Sequence, residues 1–506
     1  MKITFNQLTQ YLLTAGALLA LPLCLAAQAK KSADSLKAVI AAHPDNIEAH
    51  EAYLRAAWKD SAAFVKQYQL WMKQYPKVAA VPYTYGKFYA NRENPAAKPF
   101  LLKAVALDPK LAAAWAELSI DAERWGDFKK SSEYLGKAVA AEPDNADYLS
   151  SYAYSFQSSD PEKYLAMSKE LIRKFPESPR SAQSLYWLAF RTPDKQKKLA
   201  FYEQLRKDFP VTKFDWSQSA MSEYFDVLLA DDPAAALELM SGLVVLPGLD
   251  AETKADYEKN VQLATQLVQV QKLLGENKTA DATSVLANAK VRRWGSEPET
   301  LALLKAKVAA QSSGAASAYD TLLNYYVKTP ARSMKEALIA YGEKAGKPAA
   351  TVYADIRQKL ASTAKEASFN LDAYLTSGKV TMNDYKGKVV LLTFWFPGCG
   401  PCRGEFPHFE RVLKNFKAQP VSYVGVNVVA DQDEYVVPFI KTSGYSFTPL
   451  KDVEANRHNL PVRGAPTNYL IDQNGRIIFS NFMIQNHDAE LMLQDMIQLL
   501  LSQPVS

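Results

Sequence analysis

Cysteine is scarce in this sequence, with three residues in a chain of 506. Secreted domains that depend on disulfide staples carry more cysteines and spread them along the chain, so a framework of structural disulfides is excluded. Two of the three, Cys399 and Cys402, nevertheless stand close together in the stretch LLTFWFPGCGPCRGEFPHF. Such a pair can be a metal clip, a structural bridge or a working dithiol.

An excess of charge of one sign is also lacking. The net charge is +5, and the basic and acidic residues are interleaved along the chain. Nothing therefore favours a nucleic-acid surface, and we expect no nucleic-acid partner. A chain of this length is too long for a single hydrophobic core, so two or three domains are expected.

Long hydrophobic runs are confined to the N-terminus. The apolar stretch from Tyr11 to Leu25 has the length of a signal-peptide core and is short for a membrane span, and Ala27 and Ala29 follow it in the pattern that signal peptidase reads. We therefore predict a cleaved signal peptide over residues 1–29 and export to the periplasm. Tethering to the membrane is the alternative if the signal is retained or lipidated at Cys24.

The N-terminal half is repetitive. Six prolines close similar helical patterns at intervals of 32 to 34 residues: Pro44, Pro76, Pro109, Pro143, Pro176 and Pro210. The period resembles that of tetratricopeptide repeats, in which helical hairpins bury their apolar faces against neighbouring hairpins. We predict an all-α, tetratricopeptide-like solenoid over residues 30–350, with Gly126-Asp127 as one inter-helix turn. Whether it is a spacer or holds a partner is left open.

The periodicity changes near Lys365, after a predicted linker at 351–364. GKVVLLTFWF and VSYVGVNVV have the continuous apolar character of buried strands, and TNYLID and RIIFS indicate a hairpin. Helical patterns begin at CRGEFPHF, DEYVVPFI and HDAELMLQ. This order predicts an α/β domain with a mixed sheet over residues 365–506. The expected fold class is multidomain, all-α followed by α/β.

The cysteine pair falls where the first of these strands gives way to a helix. Unpaired backbone N–H groups and the helix dipole favour an anion there, so we expect Cys399 to form a thiolate readily and to act as a nucleophile. Pro401 suits the first helical turn. Cys402 lies about one turn further on, within reach of a disulfide with Cys399. Thiol–disulfide exchange follows from this arrangement.

The C-terminal domain resembles the TlpA-like branch of the thioredoxin-fold proteins, which are extracytoplasmic thiol–disulfide oxidoreductases. The resemblance covers residues 365–506 and rests on DYKGKVVLLTFW, on CGPC, on EFP and on GAPTNYLIDQNGRIIF. It implies a thioredoxin-like α/β fold and a redox-active Cys399–Cys402 pair. It also implies that Pro407 kinks the active-site helix and that Glu405 assists proton transfer as a third catalytic residue.

The same resemblance implies where a substrate binds. In the family a cis-proline faces the dithiol and shapes the groove in which the substrate backbone docks, and Pro466 matches that position. The expected substrate-binding residues are Gly398, Gly400, Pro401, Ala465 and Pro466. Two departures from thioredoxins stand out. Gly398 replaces a tryptophan and widens the expected groove, and Thr393 replaces a buried aspartate, which leaves Glu405 or water to accept the proton of Cys402.

Several alternatives stay open at this point. A zinc site needs about four ligands and haem attachment needs a histidine where Arg403 stands, so we expect neither a metal nor a dissociable cofactor. A static disulfide closes too short a loop to stabilise much. A peroxiredoxin-like peroxidase shares the fold, but its usual threonine or serine upstream of the cysteine is missing. The chain can also be a repeat-based scaffold whose thioredoxin-like domain is not essential.

The favoured interpretation is an extracytoplasmic thiol–disulfide oxidoreductase with a helical module that positions a partner or substrate. The Gly-Pro dipeptide between Cys399 and Cys402 resembles that of reducing thioredoxins, which favours a reductase. The expected partners are a disulfide-containing protein substrate and an external electron donor, for which a membrane thiol–disulfide transfer protein is the model in this family.

Overall fold

The computed structural model describes residues 33–292 and 295–502 of the chain. The predicted signal peptide, 1–29, lies outside these residues. Within them, helices alone precede the first strand, which confirms the predicted all-α region. Their bounds are α1 Ala33–Ala42, α2 Ile47–Ala56, α3 Ser61–Gln74, α4 Ala80–Ala90, α5 Ala97–Leu107, α6 Ala112–Arg124, α7 Phe128–Ala141, α8 Ala146–Tyr154, α9 Pro161–Lys174, α10 Pro179–Arg191, α11 Lys195–Asp208, α12 Asp215–Asp231, α13 Pro233–Val244, α14 Ala251–Gly275, α15 Thr279–Ala287, α16 Glu297–Ser313, α17 Ala315–Tyr326, α18 Arg332–Lys344 and α19 Ala349–Thr363.

The prolines of the sequence repeat mark the ends of alternate helices. Each of the six lies two residues beyond the last residue of α1, α3, α5, α7, α9 or α11. Several of the helices that end this way have an aspartate as their N-cap. The side chains of Asp127 and Asp160 accept backbone N–H bonds from the first turns of α7 and α9. The repeating unit is therefore a pair of helices, although the assignment to tetratricopeptide repeats stays a prediction.

The chain divides into two compact units, the first ending at Leu118 and the second beginning at Ser119. The described part of the first unit has an aromatic core in which Tyr53, Phe64, Tyr68 and Trp71 are buried with ring centroids 4.4–6.2 Å apart. His50 is also buried there, and its Nδ1 lies 2.8 Å from the hydroxyl of Tyr68. These rings pack α2 against α3 within that unit.

The second unit contains both helices and sheet. The remaining elements are the strands β1 Lys365–Glu366, β2 Asn370–Ala373, β3 Lys379–Thr381, β4 Val389–Trp395, β5 Val421–Asn427, β6 Thr448–Lys451, β7 Thr467–Ile471 and β8 Arg476–Ser480, and the helices α20 Gly400–Leu413, α21 Asp433–Ser443 and α22 His487–Leu501. The strands form one sheet in the order β1-β8-β7-β4-β5-β6-β2-β3. Strand β4 pairs in parallel with β5 and antiparallel with β7, so the predicted mixed sheet is confirmed.

Strand β4 is buried along its whole length, and its side chains alternate between two cores. Leu391 and Trp395 belong to a core that also contains residues of α20, α21 and α22, whereas Leu392 and Phe394 belong to the core on the opposite face. The ring of Trp395 lies 4.9–5.3 Å from three phenylalanine rings on α20, on α21 and just before β6. Burial on both faces explains the unbroken apolar run of the sequence.

The predicted linker at 351–364 lies almost entirely within helix α19. The apolar residues Val352, Ile356 and Leu360 recur every four positions, are buried, and join the same core as Leu391 of β4. This spacing places them on one face of a helix, which the sequence analysis did not use. The division between the two compact units consequently does not fall at the predicted linker. The proposed domain limits 30–350 and 365–506 stay predictions.

A helix that crosses a membrane is about 20 residues long and predominantly apolar. Among residues 33–292 and 295–502, none combines the length and the apolar character that a membrane span requires.

Because Ile356 belongs to the core of the sheet, its truncation should loosen the sheet as well as the helix. We expect Ile356→Ala to lower the opening free energy of the β4 amides by about 2–4 kcal/mol, the usual cost of a cavity in a core. Hydrogen exchange with mass spectrometry on peptides covering Val389–Trp395 measures it. Thr351→Ala, at an exposed position of the same helix, is the matched control. Equal protection in both variants would show that α19 is only a connection.

Candidate active site

The cysteine pair lies at the N-terminus of helix α20. Cys399 is four residues beyond the last residue of β4. Cys399 is the N-cap of the helix, and its Sγ accepts the N–H of Cys402 at 3.2 Å. The two residues are joined by a disulfide, with their Cα atoms 5.3 Å apart. Pro401 occupies the first turn, where its missing N–H leaves no hydrogen bond unmade. The structure thus places the pair where the sequence analysis expected it.

Both cysteines are buried. Cys399 is 3% exposed and Cys402 is fully buried, whereas Gly400 and Pro401 between them are exposed. A buried thiolate loses solvation, which opposes the stabilisation it gains from the helix N-terminus. The balance of these two effects governs how readily each thiol ionises in the reduced protein.

The segment before the pair is held by a residue that the sequence analysis did not identify. The backbone N–H of Gly398 donates to Oε1 of Gln432 at 2.7 Å. Gln432 is buried just before α21, and the N–H of Val428, which follows β5, donates to the carbonyl of Trp395. The loop that carries Gly398 is therefore fixed from the neighbouring β5–α21 connection.

Glu405 is fully buried on α20, one turn after Cys402. Its carboxyl accepts the N–H of Ile484 at 2.6 Å and two contacts from Nδ2 of Asn468 at 3.1 Å. Burial raises its pKa from 4.5 to about 7, although both hydrogen bonds favour the charged form and oppose this rise. A carboxyl with such a pKa can exchange a proton near neutral pH.

Two further buried polar side chains are paired in the sheet, and one of them, Asn468, contacts this carboxyl. Thr393 of β4 is directly opposite Asn468 of β7 in the antiparallel ladder, and both are buried. Within the described residues, neither Oγ1 of Thr393 nor Oδ1 of Asn468 has a hydrogen-bond partner. Asn468 was missed by the sequence analysis because only the pairing of β4 with β7 brings it near Glu405. Thr393 stands where an aspartate was expected from thioredoxins, so Glu405 is the buried acid in this region.

The loop before β7 supplies the other expected residues. The Ala465–Pro466 peptide bond is cis, as the resemblance implied. Ala465 packs against the core that contains Cys399 and Cys402. The hydroxyl of Thr467 donates to the carbonyl of Gly464 at 2.7 Å and closes the turn around the proline.

Arg403, the residue after Cys402, connects the active-site helix to the helical region. Its guanidinium donates to the carbonyl of Pro397 at 2.6 Å and to Oε2 of Glu123 on α6 at 2.7 Å. The Arg403 side chain is 13% exposed, so this ion pair is more sheltered than a surface pair. Both partners belong to the second compact unit. The sequence analysis considered Arg403 only as the residue that excludes haem attachment.

Comparison with known proteins agrees with this geometry. Residues 362–480 match the model of the AhpC/TSA family. The thiol–disulfide oxidoreductase ResA of Bacillus subtilis (strain 168) is 36% identical over 105 residues, which are 20% of this chain and 58% of ResA. The thioredoxin-like protein YneN of the same strain is 34% identical over 105 residues, 20% of this chain and 61% of YneN.

A solved structure was also matched: a thiol:disulfide interchange protein of the thioredoxin family from Chlorobium tepidum TLS, with 20% identity, coverage of 27% of this chain and 95% of that chain, and a TM-score of 0.24. The chain spans less than two thirds of the length of ResA and YneN. The family match at residues 362–480 lies in the α/β part of the chain, and the C-terminal region is accordingly a thioredoxin-fold domain of the AhpC/TSA type, homologous to the thiol–disulfide oxidoreductase ResA.

Proposed function

We propose that the protein is an extracytoplasmic thiol–disulfide oxidoreductase that acts as a reductase through Cys399 and Cys402. The observation that carries the proposal is the disulfide between these residues at the start of α20, with Sγ of Cys399 accepting a helix N–H. A helix N-terminus is the environment that activates a nucleophilic thiol. Homology to ResA supports the same chemistry.

The reaction starts from the reduced pair. The thiolate of Cys399 attacks one sulfur of a substrate disulfide, and the other substrate sulfur leaves as a thiolate that takes up a proton. The mixed disulfide is then attacked by the thiolate of Cys402 at the sulfur of Cys399. The second substrate thiol leaves, and the Cys399–Cys402 disulfide forms. Two electrons have passed from the protein dithiol to the substrate.

Glu405 is the group that we propose to accept the proton of Cys402. It is buried one helical turn away and its pKa of about 7 lets it hold or release a proton at neutral pH. Asn468 and the N–H of Ile484 orient the carboxyl. They act through Glu405 and are positioning residues.

Substrate backbone is proposed to dock against the loops that flank the dithiol. Gly400 and Pro401 are the exposed residues of the motif, and Gly398 lies directly before it without a side chain. Ala465 and the cis Pro466 supply the facing loop. Main-chain hydrogen bonding at these loops holds an extended peptide whatever its side chains are.

The oxidised protein needs a dithiol donor to return to its active state. Within the mature chain that we propose, Cys399 and Cys402 are the only cysteines, so the electrons come from an external dithiol, such as that of a membrane thiol–disulfide transfer protein. The reaction needs no dissociable cofactor and no metal.

We propose a periplasmic location on the basis of the signal-peptide pattern of residues 1–29. The helical region is proposed to position a partner or substrate, which the contact between Arg403 and Glu123 supports.

The order of attack predicts which variant traps a substrate. Cys402→Ser should accumulate a mixed disulfide with insulin, visible as a covalent adduct on a non-reducing gel, because Cys399 can attack but nothing resolves the product. Cys399→Ser, the matched control, should form none, and both should lose turnover. An adduct formed by Cys399→Ser and not by Cys402→Ser would show that Cys402 attacks the substrate and Cys399 resolves the mixed disulfide.

Two further results would favour the alternative functions. Faster oxidation of the reduced protein by hydrogen peroxide than by insulin would indicate a peroxidase, and full function of the double serine variant in cells would indicate a scaffold.

The raised pKa of Glu405 predicts how stability depends on pH. Between pH 4.5 and 7 the unfolded chain has lost this proton and the folded protein has kept it, so the free energy of unfolding falls as pH rises. Across this interval wild type should lose about 3 kcal/mol relative to Glu405→Gln, which carries no titrating group. Urea unfolding of the oxidised proteins at several pH values measures the difference. A constant difference would show that the pKa of Glu405 is not raised.

Burial of both sulfurs predicts a negative reduction potential. Thiolates are disfavoured in a buried site, so the reduced form gains less stabilisation than in strongly oxidising members of the fold. Equilibration of the protein with dithiothreitol or glutathione buffers should give a value nearer that of thioredoxin, roughly −270 mV, than that of DsbA, roughly −120 mV. The double variant Cys399→Ser with Cys402→Ser lacks the pair and is the control for signal that does not come from it. A value near −120 mV would make the protein an oxidase or isomerase.

A further inference from the structure

A cavity of about 610 Å³ lies in the second compact unit, between the active-site helix and the helical region. On one side it is lined by Gly400, Arg403, Gly404 and Pro407, which follow one another at helical spacing along one face of α20. The cavity begins at Gly400, directly after Cys399. Its volume is that of an ordinary ligand pocket.

The opposite wall comes from the helical region and combines aromatic rings with polar side chains. Phe128 at the start of α7 and Tyr154 and Phe156 at the end of α8 line the cavity, and Tyr445, which follows α21, lies between the two walls. The Tyr154 ring is 43% exposed and its hydroxyl accepts a bond from Arg191 at 3.1 Å, which holds the ring in place. The other three rings are half-buried. Clustered aromatic rings that keep part of their surface accessible are typical of surfaces that bind apolar groups.

The active-site helix leaves this space open because two of its residues have no side chain. A Cβ built at Gly400 or at Gly404 meets no atom within 4 Å. Gly404 lies inside α20, where glycine is unfavourable for a helix, and neither positive φ nor a close neighbour requires it there. What Gly404 provides is room beside the dithiol.

The width of the cavity is set by two contacts between the α/β part and the helices of the second unit. The ion pair of Arg403 with Glu123 joins α20 to α6. The turn between α6 and α7 lies against α21, where a Cβ on Gly126 would come within 2.5 Å of the carbonyl oxygen of Phe439. Gly126 has φ +74°, so glycine is needed there for both reasons. A preformed cavity binds without paying the entropy of closing around its ligand.

We propose that this cavity selects substrates by holding a large apolar side chain next to the substrate cysteine. The occupant is an extended segment of the disulfide-containing polypeptide, because a chain attached to Cys399 starts one residue from the cavity. From Cys399 to Pro407 the helix rises about 12 Å, the length of three or four extended residues. The inference rests on the proposed oxidoreductase activity and adds its substrate class: disulfides flanked by aromatic or large aliphatic residues.

Two model substrates test the proposal with the full-length protein. They are peptides with one disulfide, identical except that the residues flanking each cysteine are phenylalanine in one and serine in the other. The reduced protein is mixed with each, samples are quenched by alkylation, and mass spectrometry gives the rate of oxidation of Cys399 and Cys402. We expect the phenylalanine peptide to react at least about ten times faster, the effect of burying one large apolar side chain.

Two variants then fill the cavity from opposite walls. Gly404→Phe fills it from α20, and Ser132→Phe fills it from α7, where the Ser132 hydroxyl bonds only to the carbonyl of Phe128 in its own helix. Either should bring the ratio of the two rates close to one. The ratio cancels any change in sulfur reactivity common to both peptides. Gly242→Phe, at an exposed helical glycine of α13 with no atom near its Cβ, is the control that should keep the wild-type ratio.

The outcomes separate this inference from the proposed function. Rapid exchange with both peptides at equal rates would overturn the selection and leave the oxidoreductase activity standing. A preference that survives both filling variants would also overturn it, since the selecting surface would then lie elsewhere. No exchange with either peptide would overturn the oxidoreductase proposal and this inference with it.

Discussion

The burial of strand β4 on both faces is the constraint on which the rest of the second unit depends. A strand with no exposed side chain needs a covering layer on each side, and here the layers differ. One face shares a core with α20, α21, α22 and the late helices α16 to α19, and the other shares a core with β2, β3 and the segments around them. The end of this strand delivers Cys399 to the start of α20. The helices that cover β4 therefore also fix the position of the dithiol.

Local patterns predicted the parts of the fold that depend on neighbouring residues. The apolar run of β4, the helix starting after Cys399 and the turn at Gly126 were read from the sequence and are confirmed. The cis bond before Pro466 was implied by the family resemblance. The short strands β1, β2, β3 and β6 were missed, because two to four residues are too few to show an alternating pattern. Helix α19 covers most of the segment predicted as a linker, and its buried residues recur every four positions.

The site likewise combines residues that the local sequence indicates with residues that only the tertiary fold brings close to the dithiol. The family resemblance implied a role for Glu405, but its raised pKa was not predicted, because that rise comes from burial in the tertiary fold. Its hydrogen-bond partners Asn468 and Ile484, which oppose the rise, lie 63 and 79 residues away in the sequence. Gln432 and Glu123 were missed for the same reason. Each touches the active-site loop or helix through a contact that strand pairing or helix packing creates. No local sequence signal identifies them.

The burial of Cys399 has a consequence for how a substrate reaches it. Cys399 is 3% exposed, so its sulfur can react only along a narrow approach, and the exposed Gly400 and Pro401 flank that approach. A disulfide inside a folded domain rarely protrudes far enough to enter such a site, whereas an extended segment does. Helices that cover the dithiol therefore lower the accessibility of its sulfur. The substrate residues next to the reacting cysteine then also contact the protein and affect how well the substrate binds. The selectivity that we propose then depends on the same packing that keeps β4 buried.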